Sequence, residues 1–193
     1  MFKGNARMVL ASAGLLMAWP AASSQAAVIG VYDGNVASPG GYTWTYRVSL
    51  PAQARVAPGD FLTIYDFGGF TGTHAEPANW TFLSAATGPD PVLIAVPADN
   101  PLVPNLTWRY DGTTTITAAG DLGDFLAQSS DNLRVDGWFA SQGTRSDGGP
   151  LDGTPISNLA IIPVPLALEP GVPEPATVGV LALGMVGLLR RRR

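Results

Sequence analysis

The amino-acid sequence predicts an all-β fold for residues 27–169, an antiparallel β-sandwich of jelly-roll or Greek-key type. Glycine, proline, threonine and aspartate interrupt this segment at short intervals. The runs between them alternate apolar with polar residues, which is the period of a half-buried strand. About eight to ten such runs are present, at the spacing typical of a sandwich. No repeat of fixed period is found, which disfavours a solenoid or a propeller.

Two segments give the strongest strand signals. Residues 42–50 alternate aromatic or aliphatic side chains with polar ones, so that one face is apolar. Residues 61–67 are apolar on both faces, which predicts a central strand covered on each side. For residues 122–128 a strand is favoured over a single helical turn. Further strands are predicted over residues 28–32, 80–83, 92–96 (at a sheet edge), 105–110, 113–118, 133–140 and 158–164.

Turn residues define the connections between these strands. Asp111-Gly112 is the dipeptide of a two-residue hairpin turn, so the strands on either side of it are predicted to pair. Asp33-Gly34-Asn35 is expected to end the first strand. Loops are predicted over residues 68–79, over the proline-rich segment 85–105, which would cross the surface, and over the Gly/Ser/Asp-rich segment 141–153.

The N-terminus reads as a secretory signal peptide over residues 1–26. Lys3 and Arg7 precede an apolar run over residues 8–19. Small residues follow, and Ser24-Gln25-Ala26 fits the cleavage pattern of signal peptidase. Cleavage is predicted between Ala26 and Ala27, which would make Ala27 the first residue of the body.

The body is acidic and has no cysteine. Residues 27–169 hold 14 acidic residues against five arginines, a net charge of −9. Such a charge repels nucleic acid, so no nucleic-acid partner is predicted. Without cysteine there is no disulfide, thiolate metal site or cysteine nucleophile, and stability must come from packing.

The body offers few side chains suited to catalysis. His74 is the only histidine of the chain, it lies in a predicted loop, and there is no Gly-x-Ser-x-Gly elbow. Carboxylate pairs for a glycoside hydrolase could be drawn from four residues, but any acidic domain offers such pairs by chance. These residues are Asp66, Glu76, Asp124 and Asp136. We predict no catalytic residue and no cofactor.

Loop carboxylates could bind Ca²⁺, and exposed tryptophans could bind sugars. The calcium candidates are Asp33-Gly34-Asn35, Asp121 with Asp124, Asp131-Asn132, and Asp147 with Asp152. None has the spacing of a known calcium loop, and turns demand the same residues, so no metal site is predicted. Trp44, Trp80, Trp108 and Trp138 lie in or beside predicted strands, where alternation suits core packing. Trp80 and Trp108 are the candidates for an exposed sugar platform.

The C-terminal tail has three parts in a fixed order. Residues 170–175 form a proline-rich spacer that ends in Pro173, Glu174 and Pro175, which hold an extended conformation. Residues 176–193 read as a transmembrane helix, whose uncharged stretch of roughly 21 Å is shorter than the ~30 Å membrane core. Four arginines stop its transfer and keep that end in the cytoplasm: Arg190, Arg191, Arg192 and Arg193.

This tail resembles the PEP-CTERM sorting signal of Gram-negative bacteria that make exopolysaccharide. The resemblance rests on Pro173, Glu174 and Pro175, on the apolar run and on the terminal arginines, and it is confined to the tail. It implies that a membrane-embedded, cysteine-protease-like exosortase recognises the tripeptide and processes the chain near it.

The sequence thus predicts an exported, non-enzymatic protein with a structural or adhesive role. It would pass through the inner membrane as a precursor and then reach the cell surface or the extracellular matrix of a biofilm. Its expected partners are the exosortase and, as a candidate, exopolysaccharide. A carbohydrate-binding module of that matrix is the alternative, and a secreted hydrolase is the third interpretation.

Overall fold

A computed structural model describes residues 27–96 and 99–167 of the chain. These residues form ten β-strands and no helix. It follows that the described part of the chain has no helix suited to spanning a membrane. The predicted signal peptide, spacer and transmembrane helix lie outside the described residues. The strands are β1 (Ile29–Ser38), β2 (Gly41–Leu50), β3 (Ala54–Arg55), β4 (Phe61–Ile64), β5 (Phe70–Ala75), β6 (Trp80–Ala85), β7 (Asn105–Tyr110), β8 (Gly120–Ser129), β9 (Arg134–Arg145) and β10 (Pro155–Pro165).

The strands form two antiparallel sheets, which confirms the predicted all-β sandwich. One sheet has four strands in the order β1-β2-β8-β5. The other has six, in the order β10-β9-β4-β7-β6 with β3 paired to β9. Most neighbours are far apart in sequence, since β2 pairs with β8 and β4 lies between β7 and β9. The inner faces of both sheets supply one shared hydrophobic core.

The core is dominated by aromatic side chains. The alternation of β2 directs Trp44, Tyr46, Val48 and Leu50 inward, and all four are buried. Ring contacts then run without a break from Tyr32 to Tyr110 across both sheets. Each such pair contributes about 0.5–1.5 kcal/mol beyond its buried area. Packing of aromatic rings thus stabilises this fold, whereas many exported domains are stabilised by disulfides.

Strand β4 is central and covered on both faces, as predicted for residues 61–67. All four of its residues are buried. Its outer face is covered by the proline-rich connection, where Tyr65 donates a hydrogen bond to the Pro89 carbonyl at 2.8 Å. The Val92 amide further along donates to Gln142 Oε1 at 3.2 Å. The surface connection is thus confirmed, but the strand predicted over residues 92–96 does not form.

The hairpin predicted at Asp111-Gly112 is wrong. Strand β7 pairs with β4 and β6, and residues 113–118 make only a single bridge, between Ile116 and Val56. Trp108 and Tyr110 need partners on the inner face, and β6 supplies them through Phe82 and Trp80. This nonlocal packing outweighs the local turn signal.

Two predicted loops contain strands. Residues 70–75 form the edge strand β5, which pairs with β8 through a register shift between Phe70 and His74. Almost all of its residues are exposed, so it lacks the alternation by which strands are recognised. Strand β9 continues to Arg145, through the first part of the predicted loop 141–153. Strand β1 passes through Asp33-Gly34 at a bulge instead of ending there.

Candidate functional site

The N-terminal end of the body is held firmly in the sandwich. Ala27 and Val28 are fully buried. The Val28 carbonyl accepts hydrogen bonds from Ser141 Oγ at 2.7 Å and from Asn158 Nδ2 at 3.1 Å. Of the predicted cleavage pair, Ala27 belongs to the packed body and Ala26 lies outside the described residues. The fold therefore includes Ala27 and Val28 as core residues.

The C-terminal exit is fixed in the same way. After β10 the Leu166 amide donates to the Leu133 carbonyl at 2.8 Å. The Gly68 amide donates to the Pro165 carbonyl at 3.2 Å. A Cβ on Gly68 would overlap the backbone of Leu166 and Ala167, so only glycine fits there. The predicted sorting residues, Pro173 to Pro175 and Arg190 to Arg193, lie outside the described residues.

His74 belongs to a structural cluster that joins the surface to the core. Its Nδ1 lies 2.8 Å from Glu76 Oε2, and its ring stacks on Phe82 at 3.8 Å. The same Glu76 oxygen accepts a hydrogen bond from the indole of the buried Trp108 at 3.3 Å. An ionised carboxylate only accepts, so His74 donates from Nδ1. No serine hydroxyl is among the partners described for His74.

The tryptophans nominated as sugar platforms are part of the core. Trp80 and Trp108 are buried, as is Trp44. The prediction of an exposed platform at Trp80 and Trp108 is therefore wrong, and the core packing suggested by their alternation is confirmed. Trp138 is half-buried and lines a small pocket of about 270 Å³ together with Asp66 and Asp136.

The candidate carboxylate pairs of a hydrolase are mostly separated. Asp66 and Asp136 line one pocket, whereas Glu76 binds His74 and Asp124 binds Arg47. Asp66 has a φ of 54° and accepts a hydrogen bond from the Asn100 amide at 3.0 Å. Burial raises the pKa of Asp66, and the neighbouring Asp99 raises it further. The pair Asp66 and Asp99 thus places two carboxylates close together at the end of β4.

The calcium candidates serve turns and ion pairs. Arg47 lies 2.9 Å from Asp33 and 3.3 Å from Asp124. In the other candidates, the Gly123 amide donates to Asp121, Arg145 pairs with Asp147, and Arg55 pairs with Asp152. Over residues 27–96 and 99–167, no group of three metal-ligating side chains could hold an ion.

A groove lies on the outer face of the six-stranded sheet. It measures about 620 Å³ and lies between β4, β6, β7 and residues 87–89. Tyr65 and Pro89 fasten this segment in place through their 2.8 Å hydrogen bond. Its apolar side chains are Phe61, Leu83 and Pro89, and its polar side chains are Thr81, Thr87, Thr107 and Arg109. Phe82 also borders the groove, but its ring faces the core, where it contacts His74 and Trp108.

Arg109 differs from the other arginines of the body. Arg47, Arg55 and Arg145 pair with carboxylates, and Arg134 lies over the Tyr32 ring at 5.1 Å. Within the described residues, the polar contact of Arg109 is a 3.5 Å approach of its Nε to the Gly59 carbonyl. Sequence reasoning missed this site, because the lack of a partner depends on strand register: Arg109 faces Thr81 on β6 and Phe61 on β4.

Residues 171–193 match the family model described as the PEP-CTERM protein-sorting motif. The chain carries this sorting motif at its C-terminus. The resemblance of the tail is thereby confirmed, and the matched range includes Pro173, Glu174, Pro175 and the terminal arginines. The motif marks an exported protein that is sorted through the membrane and processed by an exosortase. No curated protein matches the chain.

Proposed function

We propose that the β-sandwich is a non-enzymatic structural or adhesive protein of the cell surface or the extracellular polysaccharide matrix. The observation that carries this proposal is the PEP-CTERM motif at residues 171–193, which follows a β-sandwich described up to Ala167. The motif gives the destination, and the body is what remains to act there once the tail is processed. The precursor is inserted in the inner membrane only transiently.

A non-enzymatic role is supported by how the reactive side chains are used. His74 and Glu76 bind each other, and Glu76 also accepts a hydrogen bond from the core tryptophan Trp108. General acid–base catalysis needs such groups to face a reacting atom. The hydrolase interpretation keeps one candidate, the pocket that Asp66 and Asp136 share, and hydrolysis assays on common polysaccharides test it.

A carbohydrate-binding module is the second candidate, and the groove above β4 favours it. The groove combines an apolar lining with threonine hydroxyls and one arginine. Sugar rings have apolar faces and hydroxyl edges, so they match such a surface. The two candidates are compatible, because a protein that adheres to the matrix needs a surface that binds a matrix polymer.

The sorting step is tested by Glu174→Ala in a host with and without its exosortase. Glu169→Ala is the matched control, since it removes the same charge just upstream of the motif. We expect the parent and Glu169→Ala to yield an intact mass that fits cleavage after Ala26 and again near Pro173 to Pro175. Glu174→Ala should stay unprocessed in the inner membrane. Normal processing of Glu174→Ala would show that Glu174 is not recognised.

The role outside the cell is tested by fractionation. We expect processed protein to be retained with the cell surface or matrix, and a strain lacking the protein to form a weaker biofilm. Protein recovered only in the free medium, together with an unchanged biofilm in the deletion strain, would overturn the structural or adhesive proposal.

A further inference from the structure

We propose that the groove above β4, β6 and β7 binds an acidic polysaccharide, with Arg109 pairing to a uronate carboxylate. This inference rests on the proposed adhesive function and gives it a ligand class and a site. It follows from the position of Arg109, which lies in a well-defined groove without a carboxylate partner, on a body that is otherwise strongly acidic.

The charge of Arg109 is the first argument. Asp111, two residues further along the chain, accepts a hydrogen bond from Thr81 and makes no ion pair with Arg109 among the described contacts. A guanidinium presents five donors in a planar fork that matches a carboxylate. The Arg109 guanidinium therefore keeps most of its donors for a ligand, while Arg47, Arg55 and Arg145 already have carboxylates.

The walls of the groove are the second argument. Gly88 lies so close to Tyr65 and Thr63 that a Cβ there would approach the Tyr65 ring to 2.8 Å. With the hydrogen bond from Tyr65 to Pro89, this contact holds residues 87–89 against the sheet. The opposite wall contains Leu83, whose exposed fraction of 58% is high for a leucine. The groove is thus a fixed concavity with an apolar patch open to solvent.

The lining favours a polysaccharide over an extended peptide. Peptides that join a sheet do so through free backbone groups at its edge. This groove lies mainly on the face of the sheet, where the backbone of β4 is already paired with β7 and β9, and that of β7 with β4 and β6. Only β6, along one side of the groove, is an edge strand, and polyglutamate tests whether a peptide binds there. It offers the hydroxyls of Thr81, Thr87 and Thr107, an apolar patch and Arg109. A uronate unit has matching hydroxyls, an apolar ring face and one carboxylate.

The test measures binding of oligogalacturonate to the full-length chain by calorimetry. The chain is held in a polyoxyethylene detergent, which carries no sugar headgroup. Methyl-esterified oligogalacturonate serves as the probe without charge, and polyglutamate serves as the acidic peptide. We expect binding of the free acid, at least tenfold weaker binding of the ester, and no binding of polyglutamate.

Two pairs of variants locate the site. Arg109→Gln should weaken binding of oligogalacturonate roughly tenfold to a hundredfold, because a charge-assisted pair is lost. It should also abolish the loss of affinity at high salt, because that loss comes from screening of the pair at Arg109. Arg134→Gln removes the same charge elsewhere and should bind like the parent. Leu83→Thr should weaken binding a few-fold, and Ile161→Thr, at a residue of matching exposure on the same sheet, should not.

The outcomes separate the two proposals. The inference is overturned if Arg109→Gln binds like the parent, if Arg134→Gln weakens binding equally, or if polyglutamate binds as well as the uronate. A parent that is retained in the matrix but does not bind the uronate refutes the groove and leaves the adhesive role. A parent that binds the uronate in vitro but is not retained outside the cell refutes the adhesive role instead.

Discussion

Glu76 provides a sharp test of whether the histidine cluster is structural. Its Oε2 accepts hydrogen bonds from His74 at 2.8 Å and from the indole of Trp108 at 3.3 Å. Trp108 is fully buried, so its N–H has no access to bulk water. Glu76→Ala therefore leaves a buried donor without a partner, which costs about 1–3 kcal/mol. Glu76→Gln keeps an acceptor and should cost less than about 1 kcal/mol.

The measurement is thermal unfolding of the chain followed by circular dichroism. For a domain of this size, each kcal/mol lowers Tm by roughly 3–5 °C. We expect Glu76→Ala to lower Tm by about 3–15 °C. Asp90→Ala, which removes an exposed carboxylate from the proline-rich connection between β6 and β7, is the control for loss of charge and should leave Tm nearly unchanged.

A double-mutant cycle isolates the contact. Trp108→Phe keeps an aromatic ring in the core and removes the indole donor. In that background Glu76→Ala should cost about 1–2 kcal/mol less than in the parent, because no donor is left unsatisfied. The reasoning is refuted if Glu76→Ala is as stable as the parent, or if its cost is unchanged when Trp108 is phenylalanine. A more stable Glu76→Ala would instead indicate a carboxylate kept for function at the expense of stability.

Two further predictions concern the ends of β4 and β10. Asp66→Asn should stabilise the protein at pH 7 by about 1 kcal/mol or less, because it removes a charge beside Asp99 and suits the positive φ of 54°. The pKa of Asp66 is raised in the folded state, so its contribution to stability is complete below its unfolded pKa and is lost as pH rises through the folded pKa. The increase in Tm of Asp66→Asn should therefore vanish towards acid pH. An increase that persists at acid pH would contradict a raised pKa of Asp66. Gly68→Ala should destabilise the body by about 1–3 kcal/mol in urea unfolding, because its Cβ would overlap the backbone of Leu166. The control is Gly148→Ala, at a positive φ but with open space around it, which should cost about 1 kcal/mol. Equal costs would mean that the segment after β10 can shift.

The sequence predicted the fold class because its strongest strands show their burial pattern in their own residues. In β2 the alternation of Trp44, Tyr46 and Val48 with polar residues is a local pattern, and the structure buries that face. In β4 the absence of alternation correctly indicated cover on both sides. The edge strand β5 has no such pattern, since Phe70 is its only partly buried residue. Single side-chain contacts of Phe70, Thr71 and His74 support it, and its backbone pairs with β8. Pairing of this kind leaves no periodicity to detect.

The sorting tail could be predicted from a local pattern in the sequence, whereas the groove could not. The sorting tail is recognisable because its function depends on a short linear order of residues, and the match over residues 171–193 bears this out. The groove could not be predicted, because it depends on which strands lie beside β7. Had Asp111-Gly112 formed the predicted hairpin, the strand beside β7 would be residues 113–118. In the structure Arg109 instead faces Thr81 and Phe61, neither of which can neutralise it.

The unpaired charge of Arg109 explains how an acidic body can bind an acidic polymer. A net charge of −9 over residues 27–169 repels polyanions at long range, and salt screens that repulsion within about 8–10 Å. Contact then depends on the local charge, which at the groove is that of Arg109. Affinity for a uronate should therefore pass through a maximum as salt rises: low salt strengthens the repulsion by the body, and high salt weakens the pair at Arg109. In Arg109→Gln only the repulsion remains, so any residual affinity should rise steadily with salt, and a maximum that persists in this variant would show that another group binds the carboxylate.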